Sequence, residues 1–350
     1  MPTPYQTFTL PLLHWFDLHG RKDLPWQHPR SPYQVWISEI MLQQTQVKTV
    51  IPYFMNFMSR FPDVKSLALA PEDHVLAHWS GLGYYSRARN LHQSAKIIHT
   101  ELQDEFPNNL NDLIKLPGIG ESTAAAIASL AFNKATAILD GNVKRVLSRY
   151  FLVEGLPGLA QVKKRLWLLA NECMPQERCA DYTQAIMDMG ATCCRAKKPD
   201  CISCPLQTTC LAYKNDVVAH YPFKKPKKTL PTQHQQFVLL HNKQNMIYLE
   251  KRPPIGLWGG LWCMPSIDMD VCPSSYIQNA YQLQTDNLRH VMKIKHSFSH
   301  YHLHIMAWSL QSCATGNDIT ECSGRWFRAD EIEGLGLAKP VSLIIERFFG

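Results

Sequence analysis

Four cysteines, Cys194, Cys201, Cys204 and Cys210, follow one another as C-x6-C-x2-C-x5-C, compact enough for all four thiolates to reach one metal centre. Zinc and an iron-sulfur cluster both suit four thiolates. Far upstream, Glu39 shares a helical face with Val35, Trp36, Leu42 and Gln43, its neighbours three and four residues away. A carboxyl set among apolar groups is costly to ionise, so its pKa rises towards the range in which it can donate a proton at neutral pH. A Glu at the edge of an apolar stripe can also reach past it to water. A second carboxylate, Asp140, opens the turn Asp140-Gly141-Asn142 ahead of a helical run from Val143 to Tyr150. There a helix start favours the ionised form, and a plain Asx-turn cap uses the same residue. The third feature is the run LPGIG ending at Gly120. A Pro-Gly-x-Gly turn cannot continue a helix, and the unpaired amides of the next helix, starting at Glu121 or Ser122, attract a phosphate.

These groups need elements to hold them. Residues 8–20 predict an amphipathic helix with Phe8, Leu12, Trp15 and Phe16 on one side, closed by Gly20. The loop from Arg21 to Gln27 carries Trp26 as a packing anchor. Ser31 as N-cap, Pro32 at the first helical position and Gln34 at the capping-box position open the helix that bears Glu39. The small residues from Ala124 to Leu130 predict a helix that packs tightly on its neighbours. GLGYYSRARN, from Gly81 to Asn90, combines a glycine turn with Tyr84, Arg87 and Arg89. Tyrosine can wedge between bases and arginine can hold phosphate, although an ordinary helix start has the same composition.

At 350 residues the chain suggests two or three domains, and its formal charge of +7 is a modest bias towards a polyanion. Eleven cysteines without an export signal argue against a disulfide framework and for a cytoplasmic, nucleoid-associated location. The Lys- and Pro-rich stretch from Tyr221 to Thr232 reads as a linker. Beyond it, short β-type runs appear at Gln236–Leu240, Met246–Glu250, Leu261–Met264 and Tyr301–Ser309.

The stretch from Leu116 to Arg145 resembles the helix-hairpin-helix, Gly/Pro-rich loop and Asp that define a superfamily of DNA base-excision glycosylases. With SEIMLQQTQV around Glu39, the chain is similar to the adenine DNA glycosylase (MutY) family over nearly its whole length. The resemblance implies a multidomain protein. An all-α catalytic region at 1–220 comprises a helix-hairpin-helix core at about 24–134 and an iron-sulfur cluster domain from 1–23 and 135–220. A linker at 221–232 and an α+β Nudix-like lesion-recognition domain at 233–350 follow. It implies excision of adenine opposite 8-oxoguanine or guanine in duplex DNA by a monomer without membrane contact. One 4Fe-4S cluster would sit on Cys194, Cys201, Cys204 and Cys210. Glu39 would be the general acid and Asp140 the stabiliser of an oxocarbenium-like sugar, supported by Ser122, Asn142 and Lys144. Lys22, Leu24, Trp26 and Gln184 would line the adenine pocket. Gln43, Gln44, Tyr84, Arg87, Gly118, Gly120, Lys197 and Lys198 would meet DNA, and Tyr84, Phe298, Ser299 and His300 would read the oxidised guanine.

Two departures sharpen the expectation. Endonuclease III carries a Schiff-base Lys at the second residue after the hairpin; here Ser122 stands there, and a hydroxyl cannot form an imine. A monofunctional glycosylase follows, with an endonuclease III-like glycosylase/lyase as the alternative. The run RPPIGLWGGLWCMP resembles the Nudix-like domain, but the Glu-rich box G-x5-E-x7-R-E-x2-E-E is missing, so nothing there would hold magnesium for diphosphate hydrolysis.

Overall fold

The computed structural model describes residues 3–226, 229–312 and 324–349. Packing divides the chain into two units, Met1–Ala68 with Gln93–Lys227, and Leu69–His92 with Lys228–Gly350. The grouping of Leu69–His92 with the C-terminal residues has no counterpart in the sequence reading. Lys227 and Lys228, within the expected linker, lie outside the described residues.

The helices run in chain order as α1 (Leu10–His19), α2 (Pro32–Leu42), α3 (Val47–Arg60), α4 (Val64–Ala68), α5 (Glu72–Trp79) and α6 (Ser86–Glu101). They continue with α7 (Leu110–Lys115), α8 (Glu121–Phe132), α9 (Gly141–Tyr150), α10 (Ala160–Cys173), α11 (Cys179–Asp188) and α12 (Leu211–Lys214). Of these, α5 and the start of α6 belong to the second unit. Gly20 closes α1 because a Cβ there would fall 2.1 Å from the Phe16 ring. α2 starts where expected, with the Ser31 hydroxyl accepting the Gln34 amide at 3.2 Å and Pro32 in the first turn.

The centre of the first unit is α8, whose residues from Ala124 to Leu130 are all buried. A helix buried on every side needs small side chains where neighbours approach closely, and α2 and α11 both pack on this one. Ser129 fixes the second of these contacts: its hydroxyl lies 2.7 Å from that of Thr183 and donates to the Cys179 carbonyl at 3.0 Å. α8 stops at Asn133, which takes the left-handed conformation.

In the second unit, β1 (Thr232–Asn242), β2 (Ile247–Lys251), β3 (Trp262–Cys263) and β4 (Ser266–Asp268) precede α13 (Pro273–Tyr281). Then come β5 (Arg289–Ser297), β6 (His302–Ser312), β7 (Gly324–Phe327), α14 (Ala329–Ile332) and α15 (Lys339–Phe349). The sheet order is β3-β2-β1-β6-β5, with β4 on β1 and β7 on β2. β1 and β6 are parallel and the other pairs antiparallel, so the sheet is mixed. Val238, Leu240, Tyr248 and Leu310 of the sheet pack with Ile277 and Tyr281 of α13. The four expected strands correspond to β1, β2, β3 and β6. β5 was missed because it is an edge strand with no fully buried residue, and a bulge between His290 and Met292 shifts its alternation partway along.

Candidate active site

Glu39 sits on α2 between the buried Ser38 and Ile40, and burial pushes its pKa from the ordinary 4.5 up to about 8. The charge of Asp140 adds to the rise. No hydrogen bond joins the Glu39 carboxyl to another described residue, so nothing compensates its ionised form. Asp140 is placed differently. It is the N-cap of α9, and its carboxylate accepts the Val143 amide at 2.7 Å and the Asn142 side-chain amide at 3.4 Å. Burial raises its pKa as well, against the expectation that a helix start alone would favour the ionised form. The Val143 and Asn142 amides and the nearby Arg145 and Lys144 oppose that rise. Asp140 has donors that favour its ionised form and Glu39 has none, so of the two carboxyls Glu39 is the one whose neutral form is the more favoured.

The groups around Asp140 fix its backbone. Ser122, at the start of α8, accepts the Leu139 amide at 3.0 Å, so its hydroxyl tethers the loop entering Asp140. Lys144 donates its amide to the Asp140 carbonyl at 3.0 Å. Asn142 Oδ1 accepts Arg145 Nη2 at 2.7 Å, and the same Nη2 donates to the Gly190 carbonyl at 2.5 Å. Gly190 has to be glycine, because a Cβ there would lie 2.6 Å from the Asn142 Cβ. The role of Arg145 did not emerge from the sequence, although its i+3 spacing from Asn142 on α9 is the signal that places the two side chains together.

Arg145 also reaches the cysteine loop, donating through Nε to the Cys194 carbonyl at 2.8 Å. One turn on, the buried Arg149 donates to the Cys194 thiol at 3.2 Å and to the Arg195 carbonyl at 2.8 Å. Cys194, Cys201, Cys204 and Cys210 line one small cavity of about 30 Å³, together with Cys193 and Arg149. The Cys193 thiol donates to the Asp200 carbonyl at 3.2 Å and also meets the Cys204 thiol, whereas Cys194 is met by the Arg149 guanidinium, which opposes the rise that burial gives its pKa. Among the described residues no three metal-ligating side chains converge on a single ion. Lys197 and Lys198 are exposed on the first loop, while Arg195 folds back onto the Thr192 and Lys198 carbonyls and shapes it.

The loop from Arg21 to Gln27 is anchored by the buried Asp188, which accepts the Arg21 amide at 2.7 Å, Arg21 Nη2 at 2.7 Å and the Gln184 amide at 2.8 Å. Gln184 therefore holds this anchor from α11. Leu24 and Trp26 are buried, Trp26 edge-on against Phe54, and Lys22 is exposed with its ammonium on the Asp17 carbonyl at 2.7 Å. Gln43 ends α2 and donates to the Thr123 hydroxyl at 3.3 Å, next to the hairpin, and the exposed Gln44 follows in the left-handed conformation. Gly118 turns the hairpin with a φ of 80°, and Gly120 caps α8 in open surroundings.

In the second unit Tyr84 is 45% exposed, with a φ of 48°. Arg87 does not point outward with it: the guanidinium is buried, donates to the Leu82 and Gly83 carbonyls at 3.2 and 3.1 Å, and lies 5.6 Å from the Tyr84 ring centre. Phe298, Ser299 and His300 form the tip of the β5–β6 hairpin. Phe298 stacks on Tyr301 at 4.6 Å and donates its amide to the Tyr301 carbonyl at 2.9 Å, leaving Ser299 and His300 exposed.

A family profile for the HhH-GPD superfamily base excision DNA repair proteins matches residues 37–172, and one for the NUDIX domain matches 236–347. The adenine DNA glycosylase of Buchnera aphidicola subsp. Schizaphis graminum is 40% identical over 97% of this chain and 98% of its own. The human adenine DNA glycosylase is 33% identical over 97% of this chain and 73% of its own. Among solved structures, a thermostable thymine-DNA glycosylase superposes with a TM-score of 0.55 at 30% identity, covering 61% of this chain and 97% of that one. Endonuclease III in a non-covalent DNA complex, at 22% identity and a TM-score of 0.52, covers 62% of this chain and 99% of its own and shares the fold. With both profiles matched and near full-length relatives at this identity, the chain belongs to the adenine DNA glycosylase family, base-excision repair hydrolases that cleave N-glycosyl bonds.

Proposed function

We propose that this enzyme removes adenine paired with 8-oxoguanine or guanine from duplex DNA, acting as a monomer at the nucleoid, with Glu39 as general acid and Asp140 as electrostatic partner of the sugar. The observation that carries the reading is the burial of Glu39, with the charge of Asp140 acting on it, which lifts its pKa to about 8 and so favours the proton-bearing form at neutral pH. Adenine flips out of the stack, because a glycosidic bond inside a duplex is out of reach. Gly118 and Gly120 present hairpin amides to the flanking phosphate while Gln43, Gln44 and Tyr84 occupy the opened stack. Lys22, Leu24, Trp26 and Gln184 bound the adenine. Glu39 then gives its proton to the base, making it a neutral leaving group, and the Asp140 carboxylate offsets the positive charge left on the sugar. With the proton gone from Glu39, its carboxylate can take one from the attacking water.

Ser122 supports a monofunctional reaction. Its oxygen is engaged with the Leu139 amide and has no amine with which to attack the sugar. Lys144 is the nearest candidate for weak strand nicking.

One 4Fe-4S cluster fits the cysteine site, since four thiols surround a cavity instead of converging on a point as a single zinc requires. Cys194, Cys201, Cys204 and Cys210 would hold it, and it would supply a rigid cross-link for the loop that presents Lys197 and Lys198 to phosphate. Phe298, Ser299 and His300 would read the base opposite adenine from the exposed hairpin tip.

The test is a labelled duplex with adenine opposite 8-oxoguanine, scored for free adenine before and after alkali. Free adenine with strand scission only after alkali supports the reading. Scission without alkali, at the rate of base release, would replace it with the bifunctional lyase.

A further inference from the structure

The turn that carries Tyr84 is held in place by the C-terminal residues of its own unit. Gly81, Gly83 and Tyr84 have left-handed φ angles of 100°, 71° and 48°. Glycine takes that conformation freely, but tyrosine keeps it only where its surroundings over-determine the backbone. Residues on both sides supply that constraint, and they converge on one atom. The Ser80 hydroxyl donates to the Leu337 carbonyl at 2.7 Å, and the Tyr85 hydroxyl donates to the same oxygen at 3.2 Å. Tyr85 also accepts the Gly81 amide at 3.3 Å, which closes the turn on itself.

Leu337 is in turn fixed to the sheet. It forms a bridge with Trp262 of β3, and the Gly336 carbonyl accepts the Trp262 amide at 2.9 Å. A Cβ on Gly336 would stand 2.6 Å from the Leu76 Cβ, so only glycine lets this segment run so close to α5. Two charged groups extend the contact: Lys251 pairs with Asp73 at 2.8 Å, and Arg89 donates to the Gly259 and Pro254 carbonyls. The turn is therefore built into the same packed body as the hairpin tip with Phe298, Ser299 and His300.

We infer that Ser80 and Tyr85 are positioning residues for lesion recognition: through the Leu337 carbonyl, the C-terminal residues set the conformation in which Tyr84 meets the base opposite adenine. On this account the C-terminal residues act on discrimination twice, once through the hairpin tip and once through this turn. The inference rests on the reading of Tyr84 as a lesion contact.

The test uses the full chain with Ser80→Ala and Tyr85→Phe combined, each of which removes only a hydroxyl. Single-turnover excision is measured on duplexes with adenine opposite 8-oxoguanine and opposite guanine, in the wild-type and Tyr84→Ala backgrounds. The preference for the oxidised base should fall about tenfold, the low end of what three lost hydrogen bonds contribute, with excision opposite guanine kept within about twofold. In the Tyr84→Ala background the same pair should lower the preference no further, because a positioning residue has nothing left to position. If Tyr84→Ala lowers the preference and the hydroxyl pair does not, the inference is overturned and the reading of Tyr84 stands. An equal loss on both duplexes, or a further loss in the Tyr84→Ala background, overturns it in favour of a general structural role. If Tyr84→Ala keeps the full preference, the reading of Tyr84 falls and takes the inference with it.

Discussion

Glu39 on α2 is raised in pKa to about 8 by its burial first, and then by the charge of Asp140 at the start of α9. Asp140 has amide donors and two cationic neighbours, while the Glu39 carboxyl is buried without a hydrogen-bond partner among the described residues. On the proposed mechanism that asymmetry would give one carboxyl the work of an acid and the other the work of a charge, as in other paired carboxylates acting on glycosidic bonds.

Glu39→Gln keeps the shape of the side chain and has no acidic proton to give. Base release should be lost by a factor of at least about a hundred, the low end of what a general acid contributes, while mismatch binding persists. Single-turnover excision alongside a binding titration checks it, and activity within a few-fold of wild type would remove Glu39 from the acid role.

The same residue sets two pH dependences. Excision should be lost as pH rises through about 8, where Glu39 gives up its proton before it can be used. For stability, the unfolded chain releases this proton near 4.5 and the folded chain only near 8. The stability that the protonated form provides is therefore complete below 4.5, declines across that window and is flat above it. Measured as Tm, the advantage of Glu39→Gln over wild type should grow from about pH 4.5 to about 8 and then stop growing. A constant difference across that window would mean that Glu39 titrates normally.

Arg145 forks between Asn142, Gly190 and Cys194. Lysine has the charge and three donors, but all on one nitrogen, so it cannot span acceptors that are met here by Nε and Nη2. Arg145→Lys should cost about 1 to 3 kcal/mol of stability, read by denaturant unfolding, and should lower the excision rate on bound substrate by loosening the turn at Asp140. An unchanged unfolding midpoint would show that the bonds contribute nothing net.

Purified protein should be brown, with broad visible absorption and comparable iron and sulfide content. Colourless, active protein with one bound zinc would refute the cluster. Cys201→Ser should impair folding or DNA binding more than the chemistry of substrate already bound, because the cysteine loop is joined to α9 through Arg145 and Arg149.

His300→Ala removes one exposed hydrogen-bonding group from the hairpin tip. A loss of roughly 1 to 3 kcal/mol in discrimination between 8-oxoguanine and guanine is expected, with excision opposite guanine preserved. Truncation after Pro226 is the blunter test, because it strips α5 of the partner that Gly336 brings against Leu76. Equal excision ratios for His300→Ala and wild type would leave the reading to Tyr84 and its neighbours.

Local rules are enough to determine much of this protein from its sequence. Ser31 and Pro32 start α2, Gly118 and Gly120 make the hairpin turn, Asp140 caps α9, a short apolar run marks β1, and the alternation of apolar residues marks β6. Each depends on neighbours within about one helical turn or on a period of two, which a chain displays before it folds. Edge strand β5 escaped because a bulge between His290 and Met292 shifts that period and none of its residues is fully buried. What the sequence could not show is any property created by residues distant in the chain. The high pKa of Glu39 comes from its burial in the folded packing, with the charge of Asp140 adding to it, and the direction of Arg87, inward to the Leu82 and Gly83 carbonyls, is decided by the packing around Trp79. The anchoring of Arg21 on Asp188 and of Ser80 and Tyr85 on the Leu337 carbonyl likewise joins residues that have no shared period or motif. Charge and hydrogen bonds act over a few ångströms of space, and only the tertiary structure decides which groups come within that reach.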